Sequence, residues 1–175
     1  LVGTDFGEGS LTDSGYARLV KRWRRGTPLA DAVQVYAGER TDVITIWDTK
    51  TLTPKGEIVL PGGKRGLFVT LRNSLQLTNG EKWALVFNFT PGSSVTVVDL
   101  DARKILSDIE LPGCSLVYPT GPRGFASLCA DGTMTSIALD AAGKAGPAVT
   151  SAAFNTIDDD PLFMTPAMVG RTGWF

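Results

Sequence analysis

The stretch TDVITIWDTKTLTPKGEIVLPG, Thr41 to Gly62, decides the fold. Val43 to Trp47 is β-branched and aromatic, the composition of a strand. Asp48 to Gly56 carries Thr, Lys, Pro and Gly, the chemistry of a turn. Glu57 to Leu60 reads as the return strand, stopped by Pro61-Gly62. The pattern recurs as SVTVVDLDARKILSDIELPG, Ser94 to Gly113. Asp48 maps onto Asp99, Ile58 onto Ile109, and Leu60-Pro61-Gly62 onto Leu111-Pro112-Gly113, all at one constant offset. A strand, turn and strand kept in one register at a period of about 50 residues falls in the range of propeller blades. The expected fold is all-β: four-stranded antiparallel blades of an incomplete β-propeller.

The rest of the chain supports that reading. Leu67 to Leu77 leads through the Asn79-Gly80 turn into Lys82 to Phe89, and Asn-Gly between apolar runs is a strong hairpin signal. Ser115 to Tyr118, Phe125 to Cys129 and Thr133 to Leu139 read as further strands, with Asp140 to Gly146 closing a hairpin. Leu139-Asp140 takes the place of Trp47-Asp48 and Val98-Asp99. The step from Asp99 to Asp140 is shorter than the step before it, so a third and looser unit starts there. Phe163 to Val169 is expected to be the innermost strand of one more blade. A blade buries its faces only against neighbours. About two full blades with partial ones at either end cannot close a ring, so a piece of a longer protein is expected, and the start at Leu1 fits that.

Residues 1–37 are set apart as an atypical N-terminal segment, and 38–175 as the partial propeller. Within the first, Gly15 to Gly26 places Tyr16, Leu19, Val20 and Trp23 at helical spacing, among Arg18, Lys21, Arg22, Arg24 and Arg25. It reads as a short basic amphipathic helix for an acidic partner or membrane surface, or more simply as a solvated charged face.

Bulk composition excludes several classes. The chain is 43% hydrophobic and 20% charged, with net charge −1. It is too neutral for a general nucleic-acid binder and too apolar for disorder. No run approaches the ~20 apolar residues of a membrane-spanning helix. With no His, it lacks a Ser-His-Asp triad, His metal ligands and a His-held haem.

The remaining candidates are few. Asp158-Asp159-Asp160 offers clustered carboxylates, yet lacks the spacing of a calcium loop and reads as a solvated turn before Pro161. Asp48, Asp99 and Asp140 fall at strand ends, where Asp bonds its own backbone. Pro61 to Gly66 lacks the Ser or Thr that a phosphate loop needs after its Lys. Asn88-Phe89-Thr90 matches a glycosylation acceptor but lies in a strand and precedes Pro91. Ser93, Ser94 and Ser115 have no base nearby in sequence. Cys114 and Cys129, each at the end of an expected strand, leave two readings. One is a disulfide, worth about 3 kcal/mol for a loop of hairpin size and implying an oxidising compartment. The other is two unrelated buried thiols.

Several of these stretches together resemble a known family. Tyr36-Ala-Gly-Glu-Arg-Thr-Asp-Val43, the Ile46-Trp47-Asp48 strand end and Glu57-Ile-Val-Leu-Pro61 are similar to the heavy subunit of quinoprotein amine dehydrogenases, of the methylamine and aromatic amine kinds. The likeness continues through Leu77 to Lys82, Val97 to Leu100, Leu111 to Cys114, Tyr118 to Thr120, Cys129 to Thr133 and Asp159 to Pro161. It covers about residues 36–169, whereas 1–35 match poorly and Gly66 to Ser74 diverges.

The resemblance implies a periplasmic, seven-bladed propeller. Its partner is a small disulfide-rich light subunit carrying tryptophan tryptophylquinone, in a heterotetramer. That quinone turns a primary amine into aldehyde and ammonia and passes electrons to a blue copper protein or similar carrier. The heavy subunit scaffolds the light one. The resemblance therefore implies no catalytic, cofactor-binding or metal residue on this chain, and a Cys114–Cys129 disulfide. Trp23, Trp47, Trp83 and Trp174 are then packing residues, not quinone precursors. The alternatives are a generic propeller binding module without a redox role and a membrane or nucleic-acid binder acting through the basic residues 16–25.

Overall fold

The computed structural model describes residues 1–11, 17–37, 42–61, 71–156, 158–169 and 172–175. The chain divides into two compact units, Leu1–Gly62 and Gly63–Phe175. Nearly all of the phosphate-loop candidate 61–66, and most of the divergent loop 66–74, lie outside the described residues.

Among the described residues, the first unit holds two antiparallel pairs of strands. β1 (Leu19–Arg22) pairs with β2 (Val33–Ala37), and β3 (Val43–Trp47) with β4 (Pro54–Val59). β1 corrects the helical reading of Gly15 to Gly26. Leu19 faces Ala37 and Val20 faces Tyr36 across a ladder. A helix of about a dozen residues is marginal in water, and Gly26-Thr27-Pro28 ends the run at once, so the strand partner wins. Trp23 leaves the supposed apolar face and donates its indole N–H to the Thr27 carbonyl at 2.8 Å. Tyr16 lies outside the described residues.

β4 also starts earlier than expected, at Pro54 instead of Glu57. The turn closes within Asp48 to Thr53, where the Asp48 N–H donates to the Thr53 carbonyl at 2.8 Å. Pro54 and Gly56, which look like turn residues in sequence, sit in the strand beside the bulge at Ile46/Trp47.

The second unit contains two four-stranded antiparallel sheets in simple up-and-down order. The first is β5 (Leu75–Thr78), β6 (Trp83–Asn88), β7 (Ser94–Asp99) and β8 (Lys104–Glu110). The second is β9 (Cys114–Pro119), β10 (Gly124–Cys129), β11 (Met134–Leu139) and β12 (Ala145–Thr150). These are the expected blades. β5 occupies only the end of the stretch Leu67 to Leu77, after a 3-10 turn at Arg72–Ser74. The last predicted strand shrinks to β13 (Ala167–Val169), paired with β14 (Thr172–Trp174). Pro161 and Pro166 account for this: each lacks the N–H a ladder needs, and β13 starts directly after the second.

The two copies agree in register throughout. In the first, Val43 faces Val59, Ile44 faces Ile58 and Thr45 faces Glu57. In the second, Ser94 faces Glu110, Val95 faces Ile109 and Thr96 faces Asp108, each pair displaced by the offset of the sequence repeat. The bulge moves with them, from Ile46/Trp47 to Val97/Val98. The third hairpin has the same bulge at Ile137/Leu139 and a turn one residue shorter, where the Asp140 N–H donates to the Lys144 carbonyl.

The core lies between the two sheets. Trp83, Leu85, Phe87, Val95, Val97 and Ile109 meet Leu116, Val117, Phe125, Ile137 and Leu139, all buried. Burying a side chain of this size is worth about 1.5–3 kcal/mol each, so this seam is what makes the pair of sheets one body. Backbone and side-chain links cross the same seam. The Asn79 N–H donates to the Pro122 carbonyl at 3.1 Å, and the buried Asn73 amide donates to the Val117 carbonyl at 3.1 Å.

Candidate functional site

The up-and-down order sends the β6–β7 turn, the β8–β9 connection and the β10–β11 turn to one end of the second unit. A cavity of about 450 Å³ opens there. Its walls include Phe89, the Cys114–Cys129 pair, Leu128, Leu162 and Met164.

The cysteines are joined. Cys114 opens β9 and faces Cys129 at the end of β10, with an S–S distance of 2.04 Å. This resolves the two readings left open by the sequence. The adjoining backbone is unusual. Leu116 has φ 62° although fully buried, and Leu116 and Val117 together oppose the single residue Ser127. This is a bulge, and the buried Ser127 hydroxyl satisfies the Leu116 carbonyl at 2.7 Å. Tyr118 follows on the same strand. Its hydroxyl donates to the Met164 carbonyl at 2.6 Å, and its ring meets Phe175 edge-on at 5.2 Å between centroids. Burial pushes its phenol up to about 12.

The recurrent aspartates are turn clamps. Asp48 Oδ1 accepts from the N–H groups of Lys50 and Thr51 and from the Thr51 hydroxyl. Asp99 Oδ1 accepts at 2.7 Å from the N–H of Ala102, which stands where Thr51 stands in the first copy. Asp140 Oδ1 accepts from the N–H groups of Ala142 and Lys144, both at 2.8 Å. Hydrogen bonds from Thr51 and from Lys144 hold the carboxyls of Asp48 and Asp140 below the ordinary 3.8. These bonds occupy the carboxylates with local structure.

The other candidates are dispersed. Asn88 is buried, and its amide donates to the Ser94 and Thr96 hydroxyls at 3.1 and 2.8 Å. The Thr96 hydroxyl in turn donates to Asp108 at 3.0 Å, which explains a buried polar face in an otherwise apolar sheet. Asp160 closes a turn onto the Thr156 carbonyl at 2.9 Å. Among the described residues, no three of His, Cys, Asp and Glu gather to hold a metal ion. Ser93 and Ser115 line the cavity. Trp83 is buried in the core and Trp47 packs against Tyr36 at 6.3 Å between centroids. Sequence reading missed the cavity itself. Its walls come from segments far apart in the chain, from Phe89 to Met164, and no local pattern links them.

The sequence profile of the methylamine dehydrogenase heavy chain family matches residues 11–175. The chain belongs to this family. The match begins inside the segment 1–37 that the sequence reading set apart, and reaches β1 and β2. The chain is 29% identical over 167 residues to the methylamine dehydrogenase heavy chain of Paracoccus versutus, covering 93% of this chain and 38% of the relative. It is 33% identical over 111 residues to the heavy chain of Methylorubrum extorquens (strain ATCC 14718 / DSM 1338 / JCM 2805 / NCIMB 9133 / AM1), covering 63% and 27%. It is 30% identical over 138 residues to that of Methylophilus methylotrophus, covering 77% and 34%. The chain thus spans under two-fifths of the length of the curated heavy chains it matches. Among the described residues no helix is long and apolar enough to cross a membrane.

Proposed function

We propose that the chain acts as part of a heavy subunit that scaffolds a light subunit carrying tryptophan tryptophylquinone, and leaves the chemistry to that partner. The family match over residues 11–175 carries this reading. In it the blades belong to a seven-bladed ring in the periplasm, with residues 38–175 supplying the propeller part and 1–37 a distinct leading segment. The partner's quinone oxidises primary amines to aldehyde and ammonia, in a heterotetramer, and passes electrons to a blue copper protein or a similar carrier. The residues of this chain bind and wall off. What supports a passive role is their chemistry: the recurrent aspartates are engaged by their own turns, and the serines at the cavity have no histidine to activate them.

The test is dye-linked oxidation of methylamine by the isolated chain and by the chain mixed with a light subunit of the family. The expected outcome is turnover only where the quinone protein is present. Turnover by the isolated chain would overturn the proposal. Failure to associate with any quinone protein would leave the chain a propeller binding module.

A further inference from the structure

We infer that the cavity beside the Cys114–Cys129 disulfide binds an uncharged, mostly apolar small molecule bearing a hydroxyl or carbonyl group. This goes beyond the heavy-subunit reading and does not depend on it. About 450 Å³ lies within the range of small-molecule sites, roughly 300–1,000 Å³. It has room for one or two rings.

The lining sets the chemical class. Phe89, Leu128, Leu162, Met164 and the disulfide make an apolar wall. Among the described lining residues, Ser93, Ser115 and Asn155 supply the polar side chains, and none is Asp, Glu, Lys or Arg. An ammonium or carboxylate entering there gives up hydration and meets no counter-charge, which is costly. A neutral hydroxyl or carbonyl loses less and meets hydroxyls and an amide able to pair with it.

The site is also tied down on both sides, so little ordering is left to the ligand. On one side the disulfide clamps β9 to β10, and the Leu116 bulge is locked by Ser127. On the other, Tyr118 holds the Met164 carbonyl, the Phe154 N–H donates to the Gly132 carbonyl at 3.0 Å, and Asp160 turns back on Thr156. A pre-shaped apolar hollow with a few polar groups is the ordinary form of a ligand site.

The test compares two probes of nearly equal shape, 2-phenylethanol and 2-phenylethylammonium, by saturation-transfer NMR on the whole chain. The neutral probe is expected to bind saturably in the millimolar range or tighter, and the cation roughly tenfold more weakly or worse. Met164→Trp, at a half-exposed position outside the strands, is expected to fill the hollow and weaken 2-phenylethanol by roughly tenfold while the thermal transition stays in place. Leu128→Trp fills it from β10 and repeats the test on a second element. No binding of 2-phenylethanol, equal binding of the cation, or binding unchanged in both variants would overturn the proposal.

Discussion

Leu52 and Arg103 occupy the same place in successive turns, with φ of 53° and 52°. That left-handed backbone disfavours residues with a Cβ by about 1–2 kcal/mol, and the third turn puts Gly143 there instead, with φ 77°. Arg103→Gly is therefore expected to raise stability by several tenths to about 1 kcal/mol in a urea titration, once the freer unfolded chain is allowed for. A loss of stability would mean the Arg side chain makes contacts that outweigh the backbone strain. Tyr118 gives a pH signature. Its folded value is raised to about 12, so the stability gained from burying the neutral phenol is complete below about 10 and fades as pH climbs through 12. Burial and Glu57 also push the Tyr36 phenol up, so in an alkaline titration followed at phenolate absorbance Tyr118 is expected to give the latest step, beyond Tyr36. Tyr118→Phe should remove that latest step, near 12, and its persistence in the variant would refute the assignment.

At the level of elements, the hairpins were legible in the sequence because side-chain alternation and turn residues are local. Val43 to Trp47 with its copy Ser94 to Asp99 needed only composition and offset. The misreadings have local causes too. Leu19 to Arg22 has helical spacing, but its state is set by hydrogen bonds to Val33 to Ala37, which spacing does not show. Pro54 and Gly56 belong to a strand because a bulge accommodates them, and bulges leave little trace in composition. The Leu116 bulge behind the cavity is equally silent: nothing about a leucine in an apolar run signals φ 62°. Gly143 shows how a turn of one sheet fits the next. A Cβ there would meet Leu106 of β8 at 2.5–2.8 Å, and the Ser107 hydroxyl donates to the Gly143 carbonyl. Gly143→Ala combines a backbone penalty with overpacking and is expected to cost about 2–4 kcal/mol by chemical denaturation. A cost below about 1 kcal/mol would show that the turn moves aside freely.

For the molecule as a whole, the last four-stranded sheet ends on an open edge strand. Every residue of β12 is exposed, and Val149, opposite Ser136 and 67% exposed, is an apolar position on a strand that forms the edge of its sheet. The family resemblance was legible from short stretches spread across the fold, while the cavity, assembled from distant segments, was not. The central claim is that this chain holds a protein that owns the reactive quinone. The most direct measurement is sedimentation velocity of a quinone-bearing light subunit, followed at the quinone's own visible absorbance, with and without this chain. The account predicts that the coloured boundary moves faster when the chain is added, in proportion to the amount added until saturation. A coloured boundary that sediments unchanged at every ratio would contradict it.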